Sequence, residues 1–306
     1  MTRMHDDEVV IDSALVTGLV STQFPEWADL PITRIESYGT DNAIYRLGDE
    51  LSVRLPRIPW AVAPVQREFT WLPRLAPALP VEVPVPVALG APGSGFDWPW
   101  TVCRWLEGAH PAVEGGRDDD AGLARDLARF VRAMRALDPA GAPVTAWPRP
   151  LHEEDEFVRA AIGRLAGERG ELHDARDTVL AIWHEALAAP RHDGPPVWIH
   201  GDLTPGNLLV RDGRLSGVLD FGAMGLGDPA SDLRVAWNLL SPSARGVFRS
   251  EVGADGALWA RARGWALLQA LAQLVYFTDR TTFTDRNPPL TAGARHVIAA
   301  LSAERA

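Results

Sequence analysis

The spacing of apolar residues changes between the first third of this 306-residue chain and the rest. Short alternating runs typical of strands occur before residue 108, and the clearest are residues 32–35, 43–47 and 51–55, the last two separated by a turn at 48–50. Beyond Gly108, apolar residues recur every three or four positions, as they do along one face of a helix. The change predicts an α+β protein with a small β-rich lobe and a larger, mainly helical lobe.

The boundaries of these lobes follow from the predicted elements. Further strands are expected at 85–89 and 100–106, and helices at 66–75, 123–137, 157–165, 172–188, 233–240 and 258–277. One β hairpin lies inside the helical part, because residues 207–210 and 215–219 flank an Asp212-Gly213 pair, a strong hairpin signal. We therefore predict a β-rich N-terminal lobe at 1–103, a connector at 104–108, and a mainly helical C-terminal lobe at 109–306.

Composition excludes several classes of protein. The 40 acidic residues outnumber the 30 basic ones, and the net charge of −10 argues against a nucleic-acid-binding protein, whose affinity rests on basic side chains that neutralise phosphates. All the basic residues are arginine, so neither a lysine Schiff base nor the lysine of a Walker A loop is possible. With Cys103 as its single cysteine, the chain forms neither an intramolecular disulfide nor a multi-cysteine metal site.

The sequence also argues against a membrane protein. Residues 1–10 contain Asp6, Asp7 and Glu8 and lack the basic start and apolar run of a signal peptide. The longest apolar helical stretch, residues 264–277, is well short of the roughly 20 residues that span a bilayer. We therefore expect a cytoplasmic protein with no membrane partner.

Asp202, Asn207 and Asp220 are candidates for the chemistry of phosphoryl transfer. Asp202 follows the apolar run 197–199, Asn207 stands at the mouth of the hairpin, and Asp220 follows the hairpin's second strand. Transfer to a hydroxyl needs a carboxylate that orients the nucleophile and accepts its proton, together with oxygen ligands for Mg²⁺. Because a hairpin returns the chain on itself, we expect these three side chains to face the same spot.

The motif His-Gly-Asp-Leu-x-x-x-Asn at 200–207, followed by Asp-Phe-Gly at 220–222, resembles the catalytic and metal-binding segments of the aminoglycoside phosphotransferase family. These relatives of protein kinases act on small molecules and include the macrolide phosphotransferases. The resemblance extends over about residues 32–280 and implies a bilobal protein-kinase-like fold, with ATP or GTP as co-substrate and Mg²⁺ as cofactor.

The resemblance also implies roles for individual residues. Asp202 would be the catalytic base, and Asn207 and Asp220 would hold Mg²⁺. Structural roles in or beside the catalytic loop are implied for the following residues: His200, Asp228 and Asp232.

The same resemblance places nucleotide-binding parts in the N-terminal half. Residues 37–42, which include Gly39 and Asn42, resemble the loop that covers the phosphates, although a segment with a single glycine is also an ordinary turn. The stretch 101–108 resembles the hinge, where the backbone of Arg104 and Leu106 would meet the purine edge.

Arg54 departs from the family pattern, because it occupies the position at which kinases carry a strand lysine. Glu68 on the following helix would be its carboxylate partner. A guanidinium can grip phosphate in a bidentate way, so Arg54 can replace the lysine with altered geometry. The alternative interpretation is an arginine on the strand surface, with the phosphate-binding cation elsewhere or absent.

The predicted acceptor is a small molecule. Protein kinases usually carry Arg where Gly201 stands, and no Ala-Pro-Glu segment follows 220–222. The acidic balance favours a cationic acceptor, so the first hypothesis is an aminoglycoside or a related antibiotic. The same motif also serves a macrolide kinase or a metabolic kinase acting on a sugar, a choline-like amine or homoserine. A hypothesis of a different class, prompted by Arg54, is a nucleotide-binding module without catalysis.

Overall fold

The computed structural model of the chain describes residues 9–35, 41–112, 120–144, 150–167, 171–277 and 287–305. These residues fall into two compact units. Unit 1 comprises Met1–Ala109 and Ser216–Gly222, and unit 2 comprises His110–Leu215 and Ala223–Ala306. The short segment 216–222 thus groups with the N-terminal part of the chain, whereas the predicted C-terminal lobe at 109–306 includes it.

Unit 1 is built on one antiparallel sheet. Its strands are β1 (Ile32–Ile35), β2 (Asn42–Leu47), β3 (Leu51–Pro56), β4 (Pro86–Gly90) and β5 (Trp100–Arg104). They lie in the order β1-β2-β3-β5-β4. Along β3 the side chains alternate, so that Val53 and Leu55 are fully buried in the core while Arg54 between them points to the other face.

Two helices complete unit 1. They are α1 (Ser13–Gln23) and α2 (Val62–Leu75). Val16 and Leu19 of α1 are buried in the same apolar cluster as Tyr45 of β2 and Val53 of β3. On α2, Glu68 lies on the buried face with Val65 and Leu72, since residues three and four apart share a helix face. A carboxylate is therefore carried into the interior of the unit.

The segment 216–222 joins unit 1 through backbone hydrogen bonds with Glu82. The amide of Glu82 donates to the carbonyl of Ser216 at 3.2 Å, and the amide of Val218 donates to the carbonyl of Glu82 at 3.0 Å. Asp220 is thereby placed in the same unit as β3 and α2.

Unit 2 is mainly helical. Its helices are α3 (Ala121–Arg135), α4 (Asp155–Leu165), α5 (Arg176–Ala188), α6 (Val235–Leu239), α7 (Pro242–Glu251), α8 (Gly256–Phe277) and α9 (Pro288–Arg305). Strands β6 (Val197–Ile199) and β9 (Gly225–Gly227) pair antiparallel, and β7 (Leu208–Arg211) and β8 (Arg214–Val218) form a second two-stranded sheet. The boundary between the units falls within β8.

The predicted α+β fold class is confirmed. The predicted hairpin is also present, with β7 and β8 on either side of Asp212 and Gly213. Asp212 and Gly213 both have positive φ angles, 51° and 74°, as a two-residue hairpin turn of the primed type requires. The buried face of α3 carries the predicted stripe, including Leu127 and Phe130.

Several predicted boundaries were wrong. Helix α1 lies in a part of the chain read as strands and turns, because its apolar residues form no clear stripe. The usable signal is Asp12, whose side chain caps the helix by accepting the amide of Leu15 at 2.8 Å. The predicted helix at 172–188 begins only at Arg176, and the predicted helix at 233–240 is a 3₁₀ turn, Ser231–Arg234, followed by the short α6.

The helices in the described ranges were also compared with the length and apolarity of a membrane span. None of them is long and apolar enough to cross a bilayer.

Helices α5 and α8 approach closely at Gly264. A Cβ atom built on Gly264 would lie 2.6 Å from the Cβ of Ala186 and 3.0 Å from a methyl of Leu151. We expect Gly264→Ala to lower the free energy of unfolding by about 1 kcal/mol or more, because overpacking outweighs the usual gain of roughly 1 kcal/mol from replacing a helical glycine. Urea denaturation measures the change.

Gly163 on α4 provides the matched control, because a Cβ there meets nothing within 4 Å. Gly163→Ala should stabilise the protein by about 0.5–1 kcal/mol. Ala186→Gly should cost less in the Gly264→Ala background than in the wild type, because it removes the nearest contact of the new Cβ. If Gly264→Ala stabilises as much as Gly163→Ala, the close approach is not a constraint.

Candidate functional site

The loop after β6 is held by one buried carboxylate. Asp232 is 2% exposed, and its Oδ2 and Oδ1 accept the backbone amides of His200 and Gly201, each at 2.8 Å. His200 is fully buried, and its Nδ1 accepts the amide of Asp202 at 3.1 Å. The conformation of the loop from 200 to 202 is therefore fixed by these bonds on both sides of Gly201.

Gly201 is required by the backbone itself. Its φ is 82°, and a Cβ atom on it would lie 2.6 Å from the carbonyl oxygen of Ala223. An arginine, which protein kinases usually carry here, does not fit this loop without a change in its path.

The Asp202 carboxylate receives a donor on each oxygen. Its Oδ2 accepts Nδ2 of Asn207 at 2.9 Å, and the same Nδ2 also reaches the carbonyl oxygen of Asp202. Its Oδ1 accepts Nη2 of Arg234 and Nε2 of Gln269, each at 3.0 Å. The Asp202 side chain is still 38% exposed, so this carboxylate is fixed in direction and remains open to solvent.

Arg234 and Gln269 were not predicted as site residues. Each is far from Asp202 in the sequence, and no motif marks either one. For Arg234 a usable signal exists, since it is a lone cation between the buried residues Leu233 and Val235. For Gln269, the only signal is a polar residue within the apolar run along α8.

Asp228 anchors the loop that precedes the 3₁₀ turn. Its Oδ1 accepts the amide of Ala230 at 2.9 Å, and its two oxygens accept Nε and Nη2 of Arg261 on α8, at 2.9 and 3.2 Å. The contacts of Asp228 thus tie this loop to α8.

In unit 1, Arg54 lies between two carboxylates. Nη1 donates to both oxygens of Glu68, at 2.7 and 2.8 Å, and Nη2 donates to Oδ1 of Asp220 at 2.6 Å. Asn42 adjoins the guanidinium, and with its amide oxygen turned inward it accepts Nη2 at 3.0 Å. The structure therefore brings together four residues that are predicted to bind nucleotide or metal.

Burial and charge act against each other in this cluster. Burial of Arg54 disfavours its charged form, but the carboxylates of Asp220 and Glu68 outweigh that effect and hold its pKa above the ordinary value. Burial raises the pKa of Glu68, a shift that Arg54 opposes. The guanidinium is therefore a fixed cation, and its charge opposes the effect of burial on the pKa of Glu68.

Asp220 is held in an uncommon backbone conformation. Its φ is 56°, and its Oδ1 also accepts the amide of Gly222 at 3.3 Å. A Cβ on Gly222 would meet that same oxygen at 3.1 Å and Pro64 of α2 at 3.3 Å, while Nη1 of Arg67 donates to the Gly222 carbonyl. The glycine therefore allows the Asp220 carboxylate to turn back toward Arg54.

Three further residues are predicted to bind nucleotide, namely Gly39, Arg104 and Leu106. Gly39 lies outside the described residues. The amide of Arg104 donates to the carbonyl of Val85 at 3.2 Å, so this amide is already used within the protein. Leu106 follows β5 and is half-buried. The roles of these three residues stay predictions.

The carboxylate and amide oxygens of the site are ligands of the kind that a hard cation such as Mg²⁺ takes. In the part of the chain that the structure describes, no group of three or more His, Cys, Asp or Glu side chains could hold a metal ion by itself. Mg²⁺ commonly binds one or two protein oxygens together with substrate phosphates. Nδ2 of Asn207 is turned toward Asp202, and no described residue donates to its amide oxygen, which leaves that oxygen to act as a ligand.

Comparison with known proteins identifies the family. The family described as "Phosphotransferase enzyme family" matches residues 32–265, most of the chain. The chain therefore belongs to this family of phosphotransferases, and the resemblance drawn from the motif at 200–207 and 220–222 is confirmed.

The curated relatives are antibiotic and metabolic kinases. The chain is 32% identical over 165 residues to an aminoglycoside 3'-phosphotransferase of Salmonella typhimurium, a match that covers 51% of the chain and 59% of the relative. It is 32% identical over 160 residues to a homoserine kinase of Rhodospirillum rubrum, covering 50% of the chain and 46% of that protein. The matches thus span about half the length of these relatives.

Solved structures agree on the fold. The GDP complex of aminoglycoside 2'-phosphotransferase-IIIa aligns with 97% of the chain and 100% of that protein, at a TM-score of 0.74 and 20% identity. A macrolide 2'-phosphotransferase from Brachybacterium faecium aligns with 91% of the chain and 97% of that protein, at a TM-score of 0.59 and 22% identity. The fold is therefore the kinase-like fold of these enzymes.

Removing the Asp232 carboxylate should destabilise unit 2. Asp232→Ala leaves two buried amides without acceptors, and we expect a loss of about 2–5 kcal/mol in the free energy of unfolding. Asp255→Ala is the control, because Asp255 accepts one amide, that of Leu258, at an exposed helix start and should cost about 1 kcal/mol. Urea denaturation compares the two variants, and equal losses would contradict a special role for Asp232.

The thiol of Cys103 on β5 should be unreactive in the folded protein. Burial raises its pKa to about 11, so the thiolate fraction at pH 8 is about 100-fold below that of an ordinary thiol. We expect no reaction with a disulfide reagent such as DTNB until urea unfolds the protein, when one thiol per chain should react. Rapid labelling of the native protein would contradict the burial.

Proposed function

We propose that the protein transfers the γ-phosphoryl group of ATP or GTP to a hydroxyl of a small molecule. The observation that carries this proposal is the Asp202 carboxylate, which is fixed by three side-chain donors and yet 38% exposed. A carboxylate held rigidly and left open to solvent suits the orientation of a hydroxyl and the acceptance of its proton.

The residues of each unit would have distinct tasks in this reaction. In unit 2, Asp202 would act as the catalytic base and Asn207 would offer its amide oxygen to the metal. In unit 1, Asp220 would bind the metal and Arg54, paired with Glu68, would hold the phosphates. When bound, Mg²⁺ would neutralise charge on the β- and γ-phosphates.

Arg54 meets two requirements at once in this assignment. Its Nη1 is used by Glu68 and its Nη2 by Asp220, so phosphate oxygens would approach a guanidinium that is already oriented. A planar cation with several donors can serve two carboxylates and a phosphate together. This arrangement supports the phosphate-binding interpretation of Arg54 over that of a surface arginine.

For the acceptor, an aminoglycoside or a related cationic antibiotic is the first candidate. Support comes from the aminoglycoside 3'-phosphotransferase among the curated relatives and from the net charge of −10. The homoserine kinase relative, matched at the same identity, favours a metabolic amino alcohol as the second candidate. The macrolide phosphotransferase shares only the fold.

The test is transfer of labelled phosphate. The purified protein is incubated with Mg²⁺ and γ-labelled ATP or GTP, together with kanamycin, gentamicin, streptomycin, a macrolide or homoserine. Phosphorylation of an aminoglycoside supports the first candidate, and phosphorylation of homoserine alone supports the second. Nucleotide binding with neither transfer nor hydrolysis would indicate the binding module without catalysis.

Asp202→Asn provides the residue-level test. The amide keeps the shape of the side chain but is a far weaker base, so we expect kcat to fall about 100-fold or more. Affinity for the nucleotide, measured by calorimetry without acceptor, should change little. Unchanged turnover in Asp202→Asn would show that the assigned base is wrong.

A further inference from the structure

Arg234 is a buried cation directed at Asp202. It lies at the end of the 3₁₀ turn Ser231–Arg234 and its residue is 0% exposed. Its Nη2 donates to Oδ1 of Asp202 at 3.0 Å and also to the carbonyl oxygen of Gly201. Two bonds from one nitrogen therefore connect Arg234 to both the backbone and the side chain of this loop.

The rest of the Arg234 guanidinium is poorly satisfied. Among the described residues, none accepts a hydrogen bond from its buried Nε or Nη1. The two carboxylate oxygens of nearby Asp232 accept the amides of His200 and Gly201 instead of the guanidinium of Arg234. A buried N–H without a partner costs free energy, and a buried charge costs more, so packing and stability do not account for an arginine at this position.

Gln269 adds a second donor to the same oxygen. It is half-buried on α8, and its Nε2 lies 3.0 Å from Oδ1 of Asp202. A carboxylate oxygen offers about two acceptor sites, so Arg234 and Gln269 together fill Oδ1. Oδ2 accepts only Nδ2 of Asn207 from the described residues, which leaves one site on that oxygen.

We propose that Arg234 and Gln269 are positioning residues that saturate Oδ1 of Asp202 and thereby direct the acceptor hydroxyl to Oδ2. This inference rests on the proposed function. In the transfer step, the hydroxyl proton passes to Oδ2 while the hydroxyl oxygen bonds to the γ-phosphorus. The bond from that phosphorus to the β–γ bridging oxygen breaks, and its electron pair leaves with the nucleoside diphosphate.

The test uses a double-mutant cycle with Mg·ATP and Mg·GTP. Phosphate transfer to the best acceptor of the panel is measured or, where none is found, release of inorganic phosphate to water. We expect Arg234→Met to lower kcat about 100-fold, a typical effect of a misplaced catalytic group, with nucleotide affinity within about 3-fold. Arg234→Lys should recover most of the loss, and Gln269→Leu should lower kcat about 3- to 10-fold, because it removes a neutral donor.

The cycle separates positioning from structure. If Arg234 acts through Asp202, Arg234→Met should lower the residual kcat of Asp202→Asn less than about 3-fold. A further 100-fold loss in that background would mean that the arginine only supports the fold, and the inference would be overturned. A wild-type kcat in both Arg234→Met and Gln269→Leu would overturn it as well.

One control and one fallback variant complete the design. Arg245 on α7 is also a buried arginine, but it pairs with Glu304 of α9 at 3.4 Å, so Arg245→Met should lower the melting temperature and leave kcat unchanged. If Arg234→Met does not fold, the half-buried Gln269→Leu and its cycle with Asp202→Asn decide the question. Wild-type protein that neither transfers nor hydrolyses would contradict the proposed function instead.

Discussion

The bonds from Asp232 to the amides of His200 and Gly201 are the constraint on which unit 2 depends. Each half of the carboxylate fixes one peptide of the loop after β6, and a charged acceptor makes such bonds stronger than neutral ones. Gly201 supplies the positive φ that lets two successive amides point at one group. Asp202 follows Gly201 directly. The backbone of the loop therefore fixes the direction of the Asp202 side chain, in addition to the contacts that its carboxylate makes.

The chain contains no lysine, and its arginines make contacts of different kinds. Arg54 uses separate nitrogens for Glu68 and Asp220, which a planar fork of donors permits. Arg234 instead uses a single nitrogen for Asp202 and Gly201 and leaves two others unpaired among the described residues. The first arrangement is well satisfied and contributes to structure as well as to the site. The arrangement of Arg234 leaves buried nitrogens without partners among the described residues. We therefore explain the presence of this arginine by its bond to the carboxylate of Asp202.

Sequence patterns predicted the parts of the site whose geometry is local. Asn207 is five residues from Asp202, and a hairpin follows, so spacing alone brings the amide to the carboxylate. The hairpin turn at 212–213 could be predicted for the same reason, because its Asp-Gly pair is a local signal. Family resemblance added Arg54 and Glu68, which lie on adjacent elements, β3 and α2.

The remaining features depend on packing between distant segments, which spacing does not encode. Gln269 reaches Asp202 because α8 presents that face to the loop after β6, and a sequence shows an interruption in an apolar run without showing what it faces. The grouping of 216–222 with unit 1 depends on two backbone bonds to Glu82, and backbone bonds carry no residue signature. Helix α1 was missed because its stripe is weak and its evidence is a single capping aspartate.

The two clusters around Asp202 and Arg54 differ in net charge. Asp202 and Arg234 form a neutral pair, whereas Arg54 faces two carboxylates, so the cluster in unit 1 carries one excess negative charge. Burial makes that excess most costly on Glu68, whose side chain is 5% exposed, and least costly on Asp220, which is 38% exposed. The negative charge therefore resides best on Asp220, the more exposed of the two carboxylates. Arg54 pairs with both of them, so it holds the buried carboxylate and the exposed one in fixed positions.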